Sequence, residues 1–171
     1  MKPIFLIGMP GSGKSHWGQI WGANAGFAVI DTDRRVELKS GKSIPEIFNK
    51  QGEAAFRALE AEVLREAISE SFSKNTIIVT GGGTPIFGDN MQRMLTAGCV
   101  VYLRARTAQL MENIGMSKVT RPLLYNCNEA VLIEMLQQRR EFYERAHLIL
   151  ETESLRTDTF VQILEKCTGL L

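Results

Sequence analysis

The sequence is poor in the residues that mark several specialised classes of protein. Its 171 residues hold three cysteines, Cys99, Cys127 and Cys167, widely spaced and without a CxxC pair. A disulfide framework or a zinc site is therefore not expected, and reduced thiols are the default. Charge of one sign is also missing: 20 Lys and Arg stand against 19 Asp and Glu, a net charge of +1. No long-range field draws the chain to nucleic acid or to an anionic membrane, which argues against a nucleic-acid-driven motor. Long apolar runs are absent as well. None approaches the roughly 18 residues of a membrane span. Ile4 to Ile7 after Lys2 are too few for the apolar stretch of a signal peptide, and Gly8 to Lys14 interrupt them. There are no repeats, low-complexity segments or linkers. With 44% hydrophobic and 23% charged residues, the expectation is one globular domain over 1–171, cytoplasmic and monomeric, with a proper core and no nucleic-acid or membrane partner.

What the sequence does carry stands at its start. Ile4-Phe5-Leu6-Ile7 runs into Gly8-Met9-Pro10-Gly11-Ser12-Gly13-Lys14-Ser15. An apolar run followed by Gly-x-x-x-x-Gly-Lys-Ser is the P-loop pattern in the context it requires. The run suits a buried strand of a parallel sheet. The glycines let the backbone curl so that several N–H groups face one point, where phosphate can sit. Lys14 can reach the β- and γ-phosphates of ATP, and the Ser15 hydroxyl can bind Mg²⁺. The helix expected to follow adds its positive N-terminal end.

Farther along, Trp17, Ile20 and Trp21 recur at helical spacing and read as packing residues. Phe27 to Ile30 form a second apolar run that ends in Asp31-Thr32-Asp33. Carboxylates at the carboxyl end of a buried strand lie where open α/β sheets bind ligands. In an extended chain residues 31 and 33 point the same way, so one can serve a metal and the other an acceptor hydroxyl. A plain Asp N-cap is the alternative. Arg34 to Ser40 read as a short polar helix, and Ser43 with Glu46 as a capping box opening another. Gly52 to Glu60 lead a long helix whose buried stripe is Phe56, Leu59, Val63 and Ala67. Arg57 lies off that stripe, where a solvated arginine is the ordinary reading.

Thr76 to Thr80 make a third strand, followed at once by Gly81-Gly82-Gly83-Thr84-Pro85. This is either a flexible turn or a place where a ligand approaches backbone amides. Met91, Met94 and Leu95 indicate a helix closed by Gly98, Cys99 to Leu103 a fourth strand, and Thr107 to Asn113 a helix. Residues 115–128 are polar and carry Lys118 and Arg121, a surface loop or a lid that closes over phosphates. Glu129 to Arg145 form a helix with Arg139 and Arg140, either solvated or, on a cleft side, able to pair with a carboxylate. His147 to Leu150 give a fifth strand and Asp158 to Lys166 a last helix. His16 and His147 read as structural, since phosphoryl transfer at a P-loop needs no histidine base.

Strands alternating with helices imply an α/β fold, a parallel sheet of five strands with helices on both faces. In order and rough spacing, the P-loop, Asp31-Thr32-Asp33, Gly52-Glu53 with Phe56-Arg57 and Glu60, Gly81-Gly82-Gly83, Arg121-Pro122-Leu123-Leu124, and Arg139 with Tyr143 resemble the shikimate kinases across nearly the whole chain. The triple glycine and the Arg-Pro-Leu-Leu stretch are the specific parts. The resemblance implies a three-layer P-loop NTPase fold of the nucleoside-monophosphate-kinase type, with a substrate-binding helical segment near 33–60 and a lid near 115–126. It implies ATP and Mg²⁺ as cofactors and shikimate as the acceptor, phosphorylated on its 3-hydroxyl. On it, Gly11, Ser12, Gly13, Lys14, Ser15 and His16 hold the nucleotide with Arg121, and Arg156 lies near the adenine. Ser15 and Asp31 serve the metal. Lys14, Asp33 and Arg121 are the catalytic residues. Asp33, Arg57, Gly81, Gly82 and Arg139 bind shikimate.

Two positions depart from the family pattern. His16 follows Ser15 where a second Ser or Thr is usual. Met111 to Lys118 lack the arginine that many members set against the adenine, leaving Lys118 as its substitute. The alternatives are another small-molecule kinase of this fold, such as a gluconate kinase, or a catalytically inert ATP-binding module. The pair Arg57 and Arg139 argues against the first. Intact Lys14, Ser15, Asp31, Asp33 and Arg121 argue against the second.

Overall fold

The computed structural model describes residues 1–116 and 128–170. Its strands are Ile4–Ile7 (β1), Ala28–Asp31 (β2), Thr76–Val79 (β3), Cys99–Arg104 (β4) and Leu148–Glu151 (β5). They form one sheet in the order β2-β3-β1-β4-β5, with every pairing parallel. The helices are Lys14–Ala25 (α1), Thr32–Ser40 (α2), Ile44–Ser71 (α3), Asn90–Ala97 (α4), Thr107–Met116 (α5), Glu129–Tyr143 (α6) and Thr159–Leu170 (α7). This is the expected α/β architecture. Helix α5 runs on to Met116, so Gly115 and Met116, the first residues of the expected lid, are helical. The remainder of that segment, with Lys118 and Arg121, lies outside the described residues.

Side chains alternate across the sheet and divide the core in two. Phe5, Ile7, Ile78, Val100 and Tyr102 meet Leu64, Met91, Leu110, Leu132 and Tyr143 on one face. Ile4, Leu6, Ile77, Val79, Val101 and Leu103 meet Trp21, Phe160 and Ile163 on the other. Trp17 stacks on Trp21, and Trp21 on Phe160, with centroids 5.3 and 5.7 Å apart, so both tryptophans are packing residues. The rest of the sheet-facing side of α1 is glycine. A Cβ on Gly18 would stand 2.7 Å from Val79 Cγ2, and one on Gly22 would collide with Val29. The helix approaches the sheet too closely for a side chain there.

Beside the sheet, Val36, Ile47, Phe56 and Val63 pack α2 against α3. Ser43 caps α3 in a capping box with Glu46. Gly52 (φ 82°) breaks the helical backbone inside α3, separating the two helices expected from the sequence.

One expectation is overturned. Cys99, at the start of β4, is joined to Cys167, near the end of α7, by a disulfide. The two are 68 residues apart in sequence but share the core on one face of the sheet. Packing of α7 over β4 brings their Cα atoms to 5.7 Å, within the reach of a disulfide.

Candidate active site

The strand order places β1 centrally, with β3 and β4 on its two sides. A crevice at the carboxyl ends of such strands is the usual ligand site of an open α/β sheet. β1 leads into Gly8, Gly11 and Gly13, all with φ between 83° and 146°, a region that favours glycine. Gly13 caps α1. The loop closes around buried Lys14, whose ammonium donates to the carbonyls of Gly8 (2.9 Å) and Met9 (2.8 Å). Ser12 Oγ is buried with no hydrogen-bond partner among the described residues. A polar atom left so inside a protein is unfavourable unless a ligand meets it. On the outer side, Asn113 Nδ2 of α5 donates to the Gly11 carbonyl at 2.7 Å. Helix α5 is thereby tied to the phosphate loop.

Asp31 is the N-cap that the motif allowed, and it also reaches the phosphate loop. The strand ends at Asp31 and α2 begins at Thr32, so the extended alternation that would align residues 31 and 33 is lost. Asp31 Oδ1 caps α2 by accepting from the backbone N–H groups of Asp33 (3.1 Å) and Arg34 (3.3 Å). Its other oxygen, Oδ2, accepts from Ser15 Oγ at 2.8 Å. A hydroxyl and a carboxylate, both hard oxygen donors, thus meet at the end of the phosphate loop. Such a pair suits Mg²⁺, which takes one or two protein oxygens beside phosphate oxygens and water.

The second half of the site is built on Gly81 to Gly83. None of the three has a positive φ; glycine is required here for space. A Cβ on Gly81 would lie 2.6 Å from both Asp33 Oδ1 and Glu60 Oε1. One on Gly82 would lie 2.7 Å from Pro10 and 3.2 Å from Arg139 Nη1, and one on Gly83 would collide with the Arg57 guanidinium. The missing side chains let Asp33, Arg57 and Arg139 converge on this backbone. Thr32 Oγ1 accepts from Gly81 N–H at 3.3 Å, and Tyr143 Oη donates to the Gly82 carbonyl at 2.6 Å.

Arg57 is not the solvated arginine its position off the apolar stripe suggests. It is 4% exposed and lies over the Phe56 ring at 5.2 Å. Its Nη1 donates to Glu60 (2.8 Å), and its Nε and Nη2 donate to Glu53 (3.2 and 3.0 Å). Burial opposes its charge, but the two carboxylates hold its pKa above the usual arginine value. Glu60 is 1% exposed and also accepts from Thr84 Oγ1 at 2.6 Å. Arg139 is 5% exposed, and its Nη1 has no partner among the described residues. Its neighbour Arg140 points outward to Glu144 at 2.7 Å, an ordinary surface pair.

The remaining candidates lie apart from this cluster. His16 is exposed, edge-on to Trp17. Arg156 is exposed, its guanidinium bound to the carbonyls of Glu153 and Leu155, while the Arg156 carbonyl accepts from Trp21 Nε1 at 3.1 Å. His147 Nδ1 accepts from Val100 N–H at 3.0 Å, a structural role as expected. Arg121 lies outside the described residues. Glu60, Tyr143 and Asn113 sit at the site without a role read from the sequence. The i, i+3 spacing of Arg57 and Glu60 was the available signal for the first.

Residues 10–168 match the family model described as shikimate kinase. A shikimate kinase of Clostridium botulinum (strain 657 / Type Ba4) is 41% identical, over 99% of this chain and 100% of that protein. The crystal structure of shikimate kinase from Bacteroides thetaiotaomicron is 32% identical, with a TM-score of 0.85 over 98% of each chain. The Acinetobacter baumannii shikimate kinase, solved in complex with shikimate, is also 32% identical, with a TM-score of 0.87 over 97% of this chain and 92% of that one. By sequence, fold and the residues gathered at its cleft, the chain belongs to the shikimate kinase family.

Proposed function

We propose that this chain transfers the γ-phosphoryl group of ATP to the 3-hydroxyl of shikimate. The observation that carries the reading is Arg139 Nη1, a buried cationic donor without a partner among the described residues, set beside Gly82 across from Arg57. A small acceptor bearing a carboxylate and hydroxyl groups matches it, because a guanidinium pairs a carboxylate with directional, charge-assisted hydrogen bonds.

In this reading Arg139 and Arg57 clamp the shikimate carboxylate beside the Gly81 and Gly82 backbone. Asp33 orients the reacting hydroxyl and accepts its proton. Gly11, Ser12 and Gly13 hold the ATP phosphates, Ser12 through its buried hydroxyl, with His16 just beyond them. Lys14 offsets charge on the transferring group, and Arg121 adds a second cation from the lid. Arg156 lies toward the adenine, with Lys118 in place of the family's usual arginine. Ser15 and, through water, Asp31 hold Mg²⁺, which when bound neutralises phosphate charge. The protein's share of catalysis is positioning and electrostatics, as at other phosphoryl-transfer sites. ATP as donor favours the cytoplasm, and a monomer is the expected state.

The test is ADP release from Mg-ATP with and without shikimate, with gluconate and nucleoside monophosphates as parallel acceptors. Release that requires shikimate and yields a monophosphorylated product is the expected result. Release with another acceptor only would discard the clamp assignment. ATP binding without any turnover would leave an inert nucleotide-binding module.

A further inference from the structure

The roles assigned above leave Tyr143 unused, although its hydroxyl lies where the two halves of the site meet. Tyr143 is the last residue of α6 and is fully buried. Its Oη donates to the Gly82 carbonyl at 2.6 Å and sits 3.7 Å from Met9 Sδ in the phosphate loop. The carbonyls on either side are satisfied within the turn: Gly81 O accepts from Thr84 N–H (3.2 Å) and Gly83 O from Ile86 N–H (3.1 Å). Among the described residues, the Gly82 carbonyl accepts from Tyr143 alone. Arg139 lies one helical turn earlier on the same face of α6, with Nη1 toward Gly82. Burial pushes the Tyr143 hydroxyl up to about 12, against the lowering effect of Arg139. The group is therefore a protonated donor throughout the working pH range.

We propose that Tyr143 is a positioning residue for the acceptor. Its hydroxyl fixes the Gly82 peptide, and with it the gap between Gly82 and Arg139 that receives the shikimate carboxylate. The inference rests on the shikimate reading above. Without the hydroxyl, the Gly82 carbonyl is left buried and unpaired. The peptide then turns to find another partner, and the gap loses its shape. The phosphate loop keeps its own hydrogen bonds, through Lys14 to Gly8 and Met9 and through Asn113 to Gly11, so the effect falls on the acceptor side.

The experiment is steady-state kinetics against both substrates for wild type, Tyr143→Phe, Arg139→Met and the double variant, with thermal midpoints measured alongside. Tyr143→Phe keeps the ring, its packing on Tyr102 at 4.9 Å, and hence the fold. The expected result is a rise in KM for shikimate of about five- to thirtyfold, with KM for ATP within about twofold. The double variant should be no more than about twofold worse than Arg139→Met alone, because both changes act on one gap. An unchanged shikimate KM, equal rises for both substrates, or effects that multiply in the double variant would overturn the inference. Wild type that phosphorylates shikimate beside an unaltered Tyr143→Phe overturns the inference alone. Wild type inert toward shikimate overturns the acceptor assignment and this inference with it.

Discussion

Arg57 and Arg139 face the same glycine turn from different helices, and both are buried, yet the protein holds them in different ways. Arg57 is clasped by Glu53 and Glu60 at 2.8 to 3.2 Å. Arg139 keeps Nη1 without a partner among the described residues. The first is part of the fold as much as of the site, since its charge and that of Glu60 compensate each other out of water. The second is the donor that the proposed reading gives to the acceptor. A buried cation with a built-in carboxylate partner and one that has none among the described residues should answer differently to mutation, which would separate stability from recognition.

The largest effect is expected from Arg57→Met, which strands the Glu60 carboxylate. We expect a loss of about 3–5 kcal/mol of stability in urea denaturation, together with weaker acceptor binding. Adding Glu60→Met should restore most of the stability while leaving KM for shikimate high. No restoration would show that Glu60 is not what makes Arg57 structural. Lys14→Ala comes next. It should lower kcat by about 10²–10³-fold and leave the calorimetric Kd of shikimate within about twofold; an equal loss of shikimate affinity would blur nucleotide and acceptor roles. Arg139→Met, in contrast to Arg57→Met, should keep stability within about 1 kcal/mol, and should raise KM for shikimate about ten- to a hundredfold.

The smallest effect belongs to a surface counterpart of the buried pair. Arg35 (2.6 Å) and Lys74 (2.9 Å) flank Glu70 in a partly exposed cluster. Their hydrogen bonds, that from Arg35 foremost, lower its pKa from 4.5 to about 2. A depressed carboxylate pKa contributes stability above the unfolded value, and that contribution is lost as pH falls from 4.5 toward 2. Glu70→Gln should therefore cost at most about 1 kcal/mol at neutral pH, and the difference from wild type should shrink as pH falls from 4.5 toward 2 and vanish below it. A larger cost would mean that exposure does not weaken ion pairs here as supposed.

The sequence disclosed most of what is local. A strand running into a glycine-rich loop, a capping box at Ser43, and apolar runs at regular intervals are each written in consecutive residues, and the sheet followed from them. The acceptor site was legible as motifs but not as geometry. On periodicity alone Arg57 read as solvated, and only the family resemblance placed it at the acceptor, because periodicity reports on apolar residues while its burial is set by Glu60, Glu53 and the absent side chain of Gly83. The triple glycine looked like room for a ligand, but much of that room is taken by Asp33, Glu60, Arg57 and Arg139. Asp31 was legible as a cap, but its second oxygen's hydrogen bond from Ser15 depends on how β2 and α1 pack and had no local signal. The Cys99–Cys167 pairing had no local signal, since only the docking of α7 on β4 brings the two together. Gly18 and Gly22 likewise mark the closest contact of α1 with the sheet while adding nothing to an apolar pattern.

The most direct measurement is a crystal structure of the chain with shikimate and ADP. The account expects the shikimate carboxylate within hydrogen-bond distance of Arg139 Nη1 and of the Arg57 guanidinium, with the 3-hydroxyl at Asp33 facing the phosphate loop. A carboxylate bound elsewhere, with Arg139 Nη1 still unpaired, would contradict it.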